Sequence, residues 1–203
     1  MKLSDLKAGS NTKQTLLLPV ASPYPVEITA ICGSQPGKTL IVTAGIHGCE
    51  YVGIEALNRL KKELDPAGLS GRVILLPLVN PEGFYMGAKQ TIPADGQNLN
   101  PMFPGDPAGT FSSRFAKILE KVLYPEADFL MDLHGGDINE ALTPLIFFPA
   151  AVPDTLAAKT SAAAAALSVP YRVASTSKNG LYSWAAQCGI PSLLVERGER
   201  GLW

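Results

Sequence analysis

The chain has 203 residues, 46% of them hydrophobic, with 17 lysines and arginines against 18 aspartates and glutamates. A chain of this length buries roughly 70% of its unfolded surface, so a single domain without disulfide staples is expected. A net charge of −1, with no local basic run, excludes nucleic acid and an anionic membrane as the main partner.

The N-terminal residues contain no continuous apolar stretch, so no secretory leader is expected. No apolar run approaches the length of a membrane span. The three cysteines, Cys32, Cys49 and Cys188, are odd in number and far apart. They read as reduced thiols, and a cytoplasmic location is expected.

Short apolar, β-branched runs predict strands at 25–32, 39–44 and 72–78. Between the last two lies the clearest helix, 51–64. Leu57, Leu60 and Leu64 share one stripe there, Glu55, Arg59, Lys62 and Glu63 face outward, and Pro66 and Gly68 end the pattern. The stretch 80–109 holds five prolines and little periodicity. A loop of that length in a compact domain is usually functional, and it is expected to wall an active-site cleft. A helix over 111–123 follows, then strands at 128–133 and 145–148. A helix over 153–167 contains the run Ala162 to Ala166, which needs no special role because alanine is the best helix former. A strand at 171–175, a short helix at 181–187 and a last strand at 191–196 complete the pattern. Strands alternating with helices predict an α/β fold with a mixed, mainly parallel sheet. Only seven residues follow the last strand. A covering helix is missing there, so a truncated chain or a partner subunit, as in a homo-oligomer, is expected.

Both histidines of the chain sit in glycine-flanked motifs directly after apolar runs: Gly45-Ile46-His47-Gly48-Cys49-Glu50 and Asp132-Leu133-His134-Gly135-Gly136. Each would stand at the carboxyl end of a strand, the edge where open α/β sheets bind ligands. Two imidazoles and the Glu50 carboxylate make three ligands, which leaves a fourth position of a zinc ion for water or substrate. A structural zinc site is instead closed by four ligands and rich in cysteine. Cys49, between two of these ligands, reads as a small apolar filler. Asp132 is either a partner of a ligand histidine or a buried structural carboxylate. A zinc hydrolase also needs a base, and Glu196, ending an apolar strand, is the best-placed candidate. Position alone leaves open an exposed glutamate paired with Arg197 or Arg200.

These motifs, with Asp95-Gly96-Gln97-Asn98-Leu99-Asn100, Phe103-Pro104-Gly105 and Val195-Glu196-Arg197-Gly198, resemble the succinylglutamate desuccinylase/aspartoacylase family of zinc carboxypeptidase-like (M14-type) hydrolases. The resemblance runs from 45 to 198 in family order. It implies a three-layer α/β/α fold and one zinc per chain held by His47, Glu50 and His134. It further implies Glu196 as the catalytic glutamate and Asn100 near the substrate carboxylate. Two departures concern substrate. Pro101 stands where the family has a carboxylate-binding arginine, and no arginine occurs between 73 and 113. Lys89 is the cation nearest to the place of the second family arginine, although it lacks the bidentate fork. The family's C-terminal β-rich region is also not part of this sequence, which reads as a single zinc-hydrolase domain over 1–203.

The leading expectation is zinc-dependent hydrolysis of an amide bond in a small N-acyl amino acid, with Glu196 as base and Lys89 and Asn100 toward substrate. The alternatives are a zinc carboxypeptidase acting on short peptides and a metal-binding paralogue without catalysis.

Overall fold

Residues 2–202 are described by a computed structural model. The apolar runs form β2 (Glu27–Cys32), β3 (Gln35–Ala44), β4 (Ser70–Leu76), β5 (Phe129–His134), β6 (Leu145–Pro149), β7 (Tyr171–Ser175) and β8 (Ser192–Glu196), and β1 (Thr12–Leu17) precedes them. They join one sheet in the order β1-β2-β4-β3-β5-β8-β6-β7. The pairs β3–β4, β3–β5, β5–β8 and β6–β7 are parallel, while β1–β2, β2–β4 and β6–β8 are antiparallel. The sheet is therefore mixed and mainly parallel, as expected.

Helices cover both faces. On one, Leu57 of α1 (Tyr51–Glu63) packs with Val42, Ala44, Val73 and Leu75. Ala164 of α4 (Asp154–Ala166) packs with Ile146 and Leu193. On the other, Phe115 and Leu119 of α3 (Phe111–Leu123) and Leu181 and Ala185 of α5 (Leu181–Gln187) join Ile41, Ile74, Leu130 and Leu194. Side chains alternate across a strand, so Leu193 and Leu194 serve opposite faces and the architecture has three layers. Among the described residues no helix is long and apolar enough to cross a membrane.

Two elements depart from the sequence expectation. β1 is an edge strand whose residues alternate between half-buried and exposed, with Lys13, Thr15 and Leu17 outward. One wet face keeps its sequence from reading as an apolar run. The stretch 80–109 is not irregular throughout, because α2 (Pro81–Met86) opens it. The Asn80 side chain accepts from the Gly83 N–H at 2.8 Å and Pro81 occupies the first turn, a helix start written in the sequence. Further along, Ile92, Leu99 and Phe103 are buried in the core. The Asp95 carboxylate accepts from the Ser112 N–H and hydroxyl, both at 2.7 Å, and ties the segment to α3.

Candidate metal centre

Three neighbouring parallel strands, β3, β5 and β8, bring their carboxyl ends to one edge of the sheet. After β3 the chain turns at Gly45, where φ is +65°, and His47 and Glu50 fall in the short link to α1. Gly48 lets α2 close against this link. A β-carbon there would lie 2.3 Å from the Phe84 nitrogen and 2.5 Å from the Gly83 carbonyl carbon, which no side chain tolerates. His134 ends β5 and Glu196 ends β8, opposite each other in register.

The three sequence-predicted ligands converge. Glu50 Oε1 lies 2.6 Å from His47 Nδ1, and Glu50 Oε2 lies 3.0 Å from His134 Nδ1. The donor atoms all fall within 4.8 Å of one another, and all three residues are buried. The opposite nitrogens are held from behind. His134 Nε2 meets Asp132 Oδ2 at 3.0 Å, and His47 Nε2 meets Asn98 Oδ1 at 3.1 Å. Each imidazole thus turns Nδ1 inward, which is how outer partners orient metal-binding histidines. Asp132 is itself held, its Oδ1 accepting from the Thr43 hydroxyl at 2.7 Å across the β3–β5 register. Two nitrogens and a carboxylate, converging and anchored, fit a divalent transition-metal ion with three protein ligands.

The charges agree with the geometry. Burial by itself would push the Glu50 carboxyl up, but the His134 and His47 imidazoles hold it at about 2. Burial opposes protonation of His134, yet Asp132 and Glu50 keep its pKa well above the ordinary imidazole value. Glu196 moves the other way. Burial pushes its carboxyl up to about 6, opposed by His134 and helped by Glu50.

Asn100 and Lys89, expected toward substrate, lie outside the converging donor set. Asn100 Oδ1 accepts from the Leu181 N–H at 3.1 Å, at the start of α5. The Lys89 ammonium sits 3.1 Å from Asp137 Oδ1 and also donates to Asn139 Oδ1, in the loop after His134. Cys49 is fully buried and stands outside the converging donor set. Asn98 and Thr43 are the site residues that sequence reasoning did not single out. Thr43 was discoverable, being on the expected strand 39–44. Asn98 lies in a motif that carries the family resemblance, but nothing local ties it to His47, because that contact depends on how the irregular segment 80–109 returns to the histidine.

An α/β protein with a converging His–Glu–His donor set, able to hold a metal ion, at the carboxyl edge of its parallel strands is the class these observations define. The succinylglutamate desuccinylase/aspartoacylase catalytic domain matches residues 36–203, and the chain belongs to that family. Over 100 residues it is 43% identical to N-alpha-acetyl-L-2,4-diaminobutyric acid deacetylase from Halomonas elongata, covering 49% of this chain and 29% of that protein. A succinylglutamate desuccinylase/aspartoacylase from Rhodobacter sphaeroides superposes with a TM-score of 0.82 at 33% identity, over 94% of this chain and 59% of that one. The product-bound ectoine utilization protein EutE (DoeB) from Ruegeria pomeroyi superposes with a TM-score of 0.82 at 28% identity, over 95% and 61%. The chain thus spans under a third of the curated relative and about three fifths of these solved structures.

Proposed function

We propose that this chain carries the catalytic centre of a zinc-dependent hydrolase that cleaves the amide bond of a small N-acyl amino acid. The observation that carries the reading is the His47–Glu50–His134 trio with the half-buried Glu196 placed opposite His134 in strand register. Zinc bound by this trio supplies Lewis-acid polarisation of the scissile carbonyl and lowers the pKa of water. Glu196 takes the proton of the attacking water on its carboxylate and delivers it to the departing amine nitrogen. A carboxyl at about 6 is suited to both duties near neutral pH. Asp132 and Asn98 keep both Nδ1 atoms facing inward. Lys89, braced by Asp137 and Asn139, offers positive charge at the rim, and Asn100 offers its amide near the start of α5. The name of the Halomonas relative makes N-acetyl-2,4-diaminobutyrate the first substrate to try. The three unpaired thiols support a reducing, cytoplasmic setting.

The test measures bound zinc and amine release from a panel of N-acyl amino acids and short peptides, with Glu196→Gln alongside. Stoichiometric zinc, turnover of an N-acyl amino acid and its loss in the variant are expected. Equal turnover by both proteins, or peptide cleavage alone, would overturn the reading.

A further inference from the structure

The two histidines are anchored by different chemistry. Behind His134 stands Asp132, a fully buried carboxylate, itself fixed by Thr43. Behind His47 stands the uncharged amide of Asn98. The orientation of that amide follows from a third group. The Asn100 backbone N–H, which can only donate, meets Asn98 Oδ1 at 2.9 Å. The same oxygen faces His47 Nε2, so Nε2 carries a proton, and it is Nδ1, 2.6 Å from Glu50 Oε1, that is left to give up its proton to a metal ion.

We infer that Asn98 is a positioning residue that selects the Nε2–H tautomer of His47 and, being neutral, sets the metal affinity of the site below that of a site with two charged anchors. The inference rests on the metal-binding reading above. A carboxylate behind a ligand imidazole raises its basicity as well as orienting it, and an amide supplies only the orientation. Both contacts of Asn98 fall on Oδ1. Aspartate therefore reproduces them in the same shape, and Asn98→Asp changes the charge alone.

Zinc affinity is measured by competition with a chromophoric chelator for the wild type, Asn98→Asp and Asn98→Ala. Asn98→Asp is expected to bind zinc about tenfold more tightly, and Asn98→Ala roughly 10- to 100-fold more weakly. Because the chain has only two histidines, ring nitrogen NMR resolves both tautomers directly. With zinc bound, His47 is expected as Nε2–H in the wild type and Asn98→Asp, and mixed in Asn98→Ala. A purely structural Asn98 gives no gain for the aspartate variant, and that result overturns the inference while zinc uptake by the wild type leaves the metal reading intact. A wild-type His47 that carries no proton on Nε2 also overturns it, with or without metal. A wild type that takes up no zinc overturns the metal reading itself, and this inference with it.

Discussion

Replacing Thr43 by valine removes one hydroxyl and changes little else. Thr43 and Asp132 are both 0% exposed, in the layer between β3 and β5. The hydroxyl has one proton to give. Asp132 Oδ1 at 2.7 Å takes it in preference to the Met131 carbonyl at 3.4 Å. Valine nearly matches threonine in volume, so no cavity opens. What disappears is a hydrogen bond to a charged acceptor, worth about 1.5–3 kcal/mol, at a place water does not reach. In a domain of this size a loss of about 2 kcal/mol lowers Tm by roughly 4–8 °C. Thermal unfolding of chelator-treated protein reads the effect. Thr43→Ser, which keeps the hydroxyl and loses a methyl costing about 0.8 kcal/mol, is the comparator. The expected order of stability is wild type, serine, valine. A valine variant at least as stable as the serine one would refute the argument that Thr43 holds Asp132.

Three further outcomes are expected. The acid limb of kcat/KM should fall tenfold per pH unit below about 6, because Glu196 accepts a proton only when ionised and its carboxyl titrates there rather than near 4.5; a limb near 4.5 would remove Glu196 as the base. Chelation should lower Tm by roughly 5–10 °C relative to protein in zinc at about 100 times Kd, since binding to the folded state alone contributes about 2.7 kcal/mol; an unchanged melt means that no ion binds the folded chain preferentially. Gly48→Ala should cost about 3 kcal/mol, because the added carbon meets the backbone of Gly83 and Phe84 and neither can swing aside; urea unfolding with an unchanged midpoint would show that α2 does not pack there as described.

What was legible in the sequence is what strand ends determine. The apolar runs before His47, His134 and Glu196 put each residue at the carboxyl end of a strand, and the sheet places those three strands side by side. The helix over 51–64 followed from its apolar stripe and stop signals and that over 153–167 from its alanine run, and these two, with the helices expected over 111–123 and 181–187, are found within a residue or two of their expected bounds. β1 was missed because an edge strand with one wet face lacks an apolar run. α2 was overlooked although Asn80-Pro81 marks its start, because prolines elsewhere in 80–109 masked a six-residue helix. The contact of Asn98 with His47 was not legible at all. It is made across 51 residues by a segment whose path is set by burying Ile92, Leu99 and Phe103, not by any local periodicity.

The division between strand-borne and loop-borne residues also explains where this chain departs from its family's expected pattern. The parallel registers pair Thr43 with Asp132 and His134 with Glu196. A slip of one residue in either pairing would turn one partner to the opposite face and dismantle the centre along with the core. The fold and the proposed metal site therefore depend on the same register, and substitutions there would cost both. Pro101 and Lys89 are carried by a segment fastened through its apolar anchors and Asp95, which leaves its other positions free of the register. Losing the expected arginines from such a segment costs the fold little. The proposed donor set is constrained by the sheet, and the proposed substrate side is where a change would be physically cheapest. Substrate profiling of Pro101→Arg tests this directly. The variant should fold and bind zinc as the wild type does while KM falls for substrates with a free carboxylate. Unchanged KM values across the panel would show that position 101 does not face substrate.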